Sequence, residues 1–251
     1  MSRGGSRILV AAGLDPSGRA GLFADVETVR SLGAQPLAIP TALTAQGART
    51  FAVTPVSPRM LGAQIDALLE LGPIDAVKLG MVPDRAVLQA IVRAVPRGVP
   101  WIVDPVVRTS RGQPLSSLGR RDYLALAGPH VILTPNLNET AWLLGRSRPP
   151  ADAAEAESCA RALIAHGFGG VVVKGGHLRG VKVDVVVPAS GPATLQKGRA
   201  LKRPPTKRGS GCRYASALAV GVARREALAV AARRAKRVVE KFLRAPILGQ
   251  K

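Results

Sequence analysis

Short apolar runs alternate along this chain with longer stretches in which apolar residues recur every three or four positions. The runs read as strands and the longer stretches as amphipathic helices. Strands are expected at 7–12, 35–43, 74–79, 101–103, 131–133, 170–173 and 183–187. Helices are expected at 22–32, 60–71, 85–95, 139–144 and 151–166, with two more closing the chain. In 22–32, Leu22, Val26 and Val29 share a face; in the first closing helix, Ala215, Leu218, Ala219 and Val222 fall at i, i+3, i+4 and i+7. Apolar strands alternating with such helices indicate an α/β fold whose mostly parallel sheet is covered on both faces. No repeat or long linker divides it. A single domain over 1–251 is expected, with 1–6 as a flexible N-terminal tail and 188–208 as a polar, basic loop.

Composition narrows the class. A chain of 251 residues can bury a large core. Hydrophobic content of 47% and charged content of 21% are those of a soluble globular protein, and 3% aromatics leave the core to Val, Leu, Ile and Ala. No run approaches the ~20 apolar residues of a membrane span, and no signal peptide is evident, so no membrane partner is expected. Two cysteines, Cys159 and Cys212, give no disulfide framework and suggest a reducing cytoplasm. The net charge of +20 is uneven: residues 197–251 hold 16 Lys and Arg against 2 Asp and Glu. Arg233, Arg234, Lys236, Arg237 and Lys241 read as a solvated helix face, and 27 arginines to nine lysines suggest a coding bias. The remaining excess suits anionic ligands such as nucleotides. Nucleic acid is not expected as a partner, because few aromatics are available to stack on bases.

In parallel sheets, ligands bind beyond the carboxyl ends of the strands. The chemically capable residues cluster there. Gly13-Leu14-Asp15-Pro16-Ser17-Gly18 follows the first strand as a turn, and Asp25 sits in an otherwise apolar helical stretch. That carboxylate could meet a ring nitrogen or amine, or serve as a helix N-terminal charge. Thr41 to Gln46 follows the second strand, and the Gln46 amide could read a heterocycle's donor and acceptor edge. Met81, after Lys78-Leu79-Gly80, could pack on an aromatic ring or belong to the core. Asp104-Pro105-Val106 and Thr134-Pro135-Asn136-Leu137-Asn138-Glu139 place hard oxygens suited to Mg²⁺, while Asn136 and Glu139 also have capping-box spacing. Lys174-Gly175-Gly176-His177 can approach a phosphate. Gly209-Ser210-Gly211-Cys212 opens a helix, so its unpaired N–H groups and the helix dipole form an anion site that Cys212 faces. The set favours phosphoryl transfer to a small polar heterocycle. The missing G-x-x-x-x-G-K-[ST] pattern excludes a P-loop enzyme, and the lack of a clean G-x-G-x-x-G in the first turn argues against a Rossmann dehydrogenase.

These stretches, in this order from about residue 8 to about 245, resemble the hydroxymethylpyrimidine and phosphomethylpyrimidine kinases of thiamine synthesis, a ribokinase-like family. The cysteine is the sharpest mark, since many sugar and vitamin kinases of the superfamily carry aspartate there. The resemblance implies a ribokinase-like three-layer α/β/α sandwich. It also implies ATP- and Mg²⁺-dependent phosphorylation of 4-amino-5-hydroxymethyl-2-methylpyrimidine or its monophosphate by a homodimer. It implies that Gly13, Asp25, Gln46, Met81 and Val106 line a pyrimidine pocket. The amides of Gly209, Ser210, Gly211 and Cys212 would form the anion hole, with Cys212 as candidate base. Asn136 and Glu139 would organise Mg²⁺ through water, Asp104 would lie near the phosphates, and Lys174 and Gly175 would face the nucleotide. With Arg208 and Arg213 flanking the loop, Cys212 is expected to be partly ionised at neutral pH. This chain departs from the family pattern in Thr206-Lys207-Arg208 for Asn-Thr-His, Arg19 for glycine, Phe23 for glutamine and Ser110 for lysine. These departures read as charge moved from one lysine to several arginines, or as Arg19 crowding the pocket. The alternatives are a pyridoxal-type vitamin kinase and a catalytically degenerate kinase fold that binds a ligand as a regulator.

Overall fold

The alternating apolar pattern becomes one nine-stranded sheet in a computed structural model that describes residues 5–47, 49–109, 112–176, 183–198 and 207–246. Ser110, His177 and Thr206 lie outside the described residues. The first half of the chain runs β1 (Arg7–Leu14), α1 (Gly21–Ser31), β2 (Gln35–Gln46), β3 (Phe51–Pro55), α2 (Pro58–Glu70), β4 (Ala76–Leu79), α3 (Arg85–Ala94) and β5 (Trp101–Val103). The second half runs α4 (Arg120–Leu124), β6 (Val131–Leu133), α5 (Leu137–Leu144), α6 (Ala153–Ile164), β7 (Gly170–Val173), β8 (Val183–Pro188), β9 (Thr194–Lys197), α7 (Ser210–Ala223) and α8 (Leu228–Arg244). The spatial order is β3-β2-β1-β4-β5-β6-β7-β8-β9. The six strands from β2 to β7 in this order are parallel; β3 and β8 run against them at the two margins, and β9 pairs antiparallel with β8.

The period of two along each strand divides the core into two layers. In β1, Leu9 and Ala11 face one layer, with Leu61, Ile65, Val87, Ile91, Leu143 and Leu163 from α2, α3, α5 and α6. Ile8, Val10 and Ala12 face the other, with Leu22 and Val29 of α1, Ala215 and Leu218 of α7, and Ala231 and Ala235 of α8. The expected three-layer α/β/α sandwich is thus formed. Small residues let α7 and α8 approach closely: a Cβ on Gly221 would sit 2.6 Å from that of Ala231. As a result α7 is buried from Arg213 to Gly221, and its N-terminus is held rigidly at the sheet's carboxyl edge.

Three short elements escape the periodicity argument, and one strand is longer than expected. β2 does not end at Leu43; it continues to Gln46 because Ala42 to Gln46 pair antiparallel with Phe51 to Pro55. Gln46 therefore stands on a strand rather than in a loop. α4 spans five residues, too few to show a helical period. β9 lies inside the expected 188–208 loop and inverts the usual pattern, with Leu195 exposed and Gln196 buried. Gln196 is tolerated there because its Nε2 donates to the Ala229 carbonyl at 2.6 Å.

The turn from β1 into α1 folds tightly back on the strand. Gly21 has φ +60°, and a Cβ there would lie 2.2 Å from the Gly13 carbonyl oxygen. Gly21→Ala is expected to destabilise the protein by about 2–4 kcal/mol, since backbone strain and a backbone clash combine. Urea denaturation with an unchanged slope checks this.

Candidate active site

The carboxyl ends of β1, β2 and β4 and the start of α7 enclose a cavity of about 240 Å³. Gly13, Thr44, Gln46, Met81, Val106 and Leu115 line one side, and Gly209, Ser210 and Cys212 the other. Four of the five expected pocket residues thus meet in one wall. Met81 packs with Ala42 and Leu115, and its carbonyl accepts a hydrogen bond from Thr41 Oγ1 at 2.6 Å. The Gln46 amide is oriented by its neighbours: Nε2 donates to Thr44 Oγ1 at 3.1 Å, and that hydroxyl donates to the Leu14 carbonyl at 2.9 Å.

Asp25, the fifth, does not reach the cavity wall. It is fully buried in α1, where its Oδ2 accepts from Lys78 Nζ at 2.6 Å and its Oδ1 from Ser216 Oγ at 2.8 Å. Burial raises the Asp25 carboxyl above its ordinary range against the opposing pull of Lys78. Burial alone would lower Lys78, but the charges of Asp25, Cys212 and Asp104 more than offset it and hold the ammonium charged. Lys78, not Asp25, lines the cavity. Its position had a signal: a lysine between Val77 and Leu79 in a central strand must find a buried partner.

The start of α7 is uncapped. Gly209 precedes α7 at φ +87°, with a would-be Cβ 2.2 Å from the Arg19 carbonyl, and no side chain caps the helix. The first intrahelical donor at this end is the Arg213 amide, which bonds the Gly209 carbonyl at 3.1 Å. The Ser210, Gly211 and Cys212 amides therefore precede the helical ladder and face the site. The loop entering α7 is fastened by α8. Lys207 donates to the carbonyls of Phe242, at 2.8 Å, and Ala245, and Arg213 stacks 3.9 Å from the Phe242 ring centre.

Three expectations about charge are corrected. Arg213 does not face the thiol; it pairs with Glu27 at 2.7 Å. Arg208 donates to Gln46 Oε1 and lies 3.6 Å from Asp15 Oδ2. Cys212 is therefore not partly ionised: burial, then the charge of Asp25, pushes its thiol up to about 11 despite Lys78. Arg19 does not crowd the pocket, since its side chain is exposed and only its carbonyl meets Arg213. Phe23 is likewise exposed.

On the far side of Gly211 lies the second half of the site. A Cβ on Gly211 would stand 3.4 Å from Lys174 Nζ and 3.7 Å from Asp104 Oδ2, so this backbone passes directly beside the pair. Lys174 pairs with Asp104 at 2.6 Å, and Thr134 Oγ1 donates to the same carboxylate oxygen at 3.4 Å. Asn136 and Glu139 form the capping box of α5: Asn136 Oδ1 accepts from the Glu139 amide at 2.9 Å and Glu139 Oε2 from the Asn136 amide at 2.7 Å. Burial raises Glu139 to about 7, with Lys174 opposing and Asp104 adding to the rise. Gly175 donates its amide to Asp184 Oδ1 at 3.1 Å, and Lys236 of α8 holds the other oxygen at 2.9 Å. Asp184 and Lys236 carried no motif to mark them, since the pairing exists only across β8 and α8.

The fold has close counterparts among solved structures. Phosphomethylpyrimidine kinase from Clostridium difficile superposes with a TM-score of 0.80 at 26% identity, covering 95% of this chain and all of that one. Staphylococcus aureus pyridoxal kinase, solved with AMP-PCP, shares the fold with a TM-score of 0.85 at 21% identity over 98% of this chain and 90% of that one. The class is that of the ribokinase-like small-molecule kinases. In sequence, the family described as phosphomethylpyrimidine kinase matches residues 15–250. The hydroxymethylpyrimidine/phosphomethylpyrimidine kinase of Rhizobium meliloti is 36% identical over 224 residues, which cover 86% of this chain and 82% of the relative. That of Escherichia coli is 33% identical over 217 residues, covering 84% and 80%. The chain belongs to the phosphomethylpyrimidine kinase family.

Two outcomes follow from the buried charges. Lys78→Met leaves Asp25 unpaired and is expected to cost about 3–5 kcal/mol, most of it recovered in Lys78→Met/Asp25→Asn, as read by chemical denaturation. Glu139 binds its proton more tightly when folded than when unfolded, so its contribution to stability is full below about pH 4.5 and fades through about pH 7. The stability of Glu139→Gln relative to wild type should therefore rise between pH 5 and pH 8. The gain is on the order of 1–2 kcal/mol, because solvent still reaches and screens this mostly buried residue. Melting curves at the two pH values measure it.

Proposed function

We propose that this kinase transfers the γ-phosphoryl group of ATP to 4-amino-5-hydroxymethyl-2-methylpyrimidine, to its monophosphate, or to both, within thiamine biosynthesis. The observation that carries the reading is that the heterocycle-sized cavity and the bare N-terminus of α7 share Gly209, Ser210 and Cys212. Family membership supplies the substrate class. Gln46 meets the ring's polar edge, while Met81 and Val106 hold its faces. The reacting oxygen is thereby directed at the amides of Ser210, Gly211 and Cys212. Those amides are fixed before reaction, so they stabilise charge on the transferring group without reorganisation. The substrate oxygen forms its bond to the γ-phosphorus as the bond to the β–γ bridging oxygen breaks. Its proton passes to the thiolate form of Cys212, a minor fraction at neutral pH because the thiol lies near 11, which regenerates the thiol as ADP leaves with the electrons of the broken P–O bond.

The donor set on the far side fits Mg²⁺. Among the described residues no group of three or more His, Cys, Asp or Glu side chains could hold a metal alone. Mg²⁺ bound to a nucleotide, however, needs only one or two carboxylates beside its waters and phosphates. Asp104 and Glu139 supply these, and the raised Glu139 pKa marks a carboxylate that a cation would favour in its ionised form. When bound, the ion would screen the phosphate oxygens. Lys174 and the amide of Gly175 complete the phosphate-facing surface in this reading. A homodimer and a cytoplasmic location belong to the same reading. Both cysteines being free accords with a reducing compartment, and no helix among the described residues is long and apolar enough to cross a membrane.

Purified protein with ATP and Mg²⁺ is expected to release ADP with the pyrimidine alcohol or its monophosphate, assayed separately, and not with pyridoxine. Release with pyridoxine alone would replace this reading by a pyridoxal-type one, and ligand binding without release by a regulatory one. Cys212→Ala should lower kcat by about 10²-fold or more while the KM for ATP stays within a few-fold. Because the thiol lies near 11, the chemical step should quicken about tenfold per unit between pH 7 and 9 in wild type, and this slope should vanish in Cys212→Ala. Equal turnover in the two proteins eliminates the thiol as base.

A further inference from the structure

Arg208 occupies a position in the cavity that no expected role explains. Its guanidinium donates to Gln46 Oε1 and faces Asp15 Oδ2 at 3.6 Å. Asp15 is only 3% exposed. Its Oδ1 is taken by the amide and hydroxyl of Ser17, at 3.0 and 2.8 Å, whereas Oδ2 is buried without a hydrogen-bond partner. Two acceptors thus converge on one guanidinium nitrogen, Nη2. The exocyclic amine of an aminopyrimidine likewise presents two N–H donors on one nitrogen. The guanidinium therefore stands where the amine of a bound ring would meet Gln46 and Asp15.

The other cations of the cavity are committed. Lys78 is paired with Asp25, Lys207 donates to two carbonyls at the end of α8, and Arg108 donates to the Gly112 carbonyl at 2.9 Å. Arg208 is held by one neutral amide oxygen and one long ion pair, so it is the cation that a ligand can most readily redirect. It directly precedes Gly209, the residue that opens the anion hole.

We propose that Arg208 is a specificity-determining residue that favours the pyrimidine monophosphate over the free alcohol. This rests on the pyrimidine kinase reading above. When the ring enters, its amine replaces the guanidinium at Gln46 and Asp15. Arg208 must then leave two acceptors. If the substrate carries a phosphate near Gly209, the fork gains a charged, bidentate partner a short distance away. If the substrate is the neutral alcohol, the guanidinium loses its partners and gains none, and the binding of that substrate bears the cost. One side chain thus opposes one substrate and assists the other, and the discrimination appears in the ratio of their kcat/KM values.

The test compares the alcohol and the monophosphate as separate substrates of wild type, Arg208→Gln and Arg208→Lys, with saturating ATP and Mg²⁺. In Arg208→Gln the ratio of kcat/KM for the monophosphate to that for the alcohol is expected to fall at least tenfold. Arg208→Lys keeps the charge without the fork and should retain a preference intermediate between the other two. A ratio within twofold of wild type in Arg208→Gln overturns the proposal, including the case where both substrates lose equally, because a merely structural role moves both together. A thermal melt of each variant confirms that a folded enzyme is being compared, and should Arg208→Gln not fold, the ratio is read from Arg208→Met under the same criterion. Wild-type protein that phosphorylates neither compound defeats the kinase reading on which the proposal stands. Wild-type activity on both with an unchanged ratio defeats only the role of Arg208.

Discussion

The arrangement depends on one buried ion pair. Asp25 of α1, Lys78 of β4 and Ser216 of α7 meet beneath the cavity with contacts of 2.6 and 2.8 Å. Each side chain alone would be costly to bury, so the three elements are stable in this region only when packed together. Their meeting fixes the three parts of the site relative to one another. The turn after β1 leads into α1, β4 runs on to Met81, and the first turns of α7 carry Cys212. A buried ion pair contributes less to stability than an apolar cluster of the same size, but it tolerates fewer alternative packings. Here it sets the distance between the pocket wall and the anion hole.

A second constraint is the close approach of backbone to backbone around that pair. Gly21 presses on the Gly13 carbonyl and Gly209 on the Arg19 carbonyl, each with 2.2 Å to a would-be Cβ. The first turn of the fold and the start of α7 are separated by nearly the whole chain, yet their backbones meet here, and Arg213 Nη1 bridges the Arg19 and Gly209 carbonyls at 3.3 and 3.5 Å. This is why the amides of Ser210 to Cys212 can point into the cavity unobstructed. The fastening of Lys207 and Arg213 to Phe242 extends the same rigidity outward to α8, so part of the basic C-terminal quarter acts as scaffold.

What could be read from the chain follows from the range of each interaction. Periodicity is local, so the central strands and the longer helices were legible, as was the two-sided burial of the sheet. The inverted pair Leu195 and Gln196 hid β9, because the Gln196 partner is a carbonyl in α8. Gly13, Gln46, Met81 and Val106 were placed together by a resemblance in motif order, and the cavity gathers them. Asp25 belongs to the same motif but supports Lys78 from below, a distinction that only three-dimensional packing makes. The expected lowering of the Cys212 pKa failed for a similar reason. Sequence neighbours such as Arg208 and Arg213 are not spatial neighbours of the thiol, whereas Asp25 and Asp104, both distant in sequence, are close enough to raise it.

Burial, together with the balance of buried charge, accounts for the raised pKa of Cys212 and of Glu139. Around Cys212 and Gly211 stand three carboxyl groups, of Asp25, Asp104 and Glu139, and two ammonium groups, of Lys78 and Lys174. Each lysine is matched at 2.6 Å by one aspartate. Glu139 is left over, and it is the carboxyl that shifts to about 7. A thiolate at Cys212 would add another unmatched negative charge to the same region, so the thiol is held protonated. An arriving divalent cation changes both conditions at once: it would match Glu139 and lower the cost of negative charge on the sulfur. In the proposed reading, Glu139 is the carboxyl left without a lysine, and a divalent cation brought in with the nucleotide would match it.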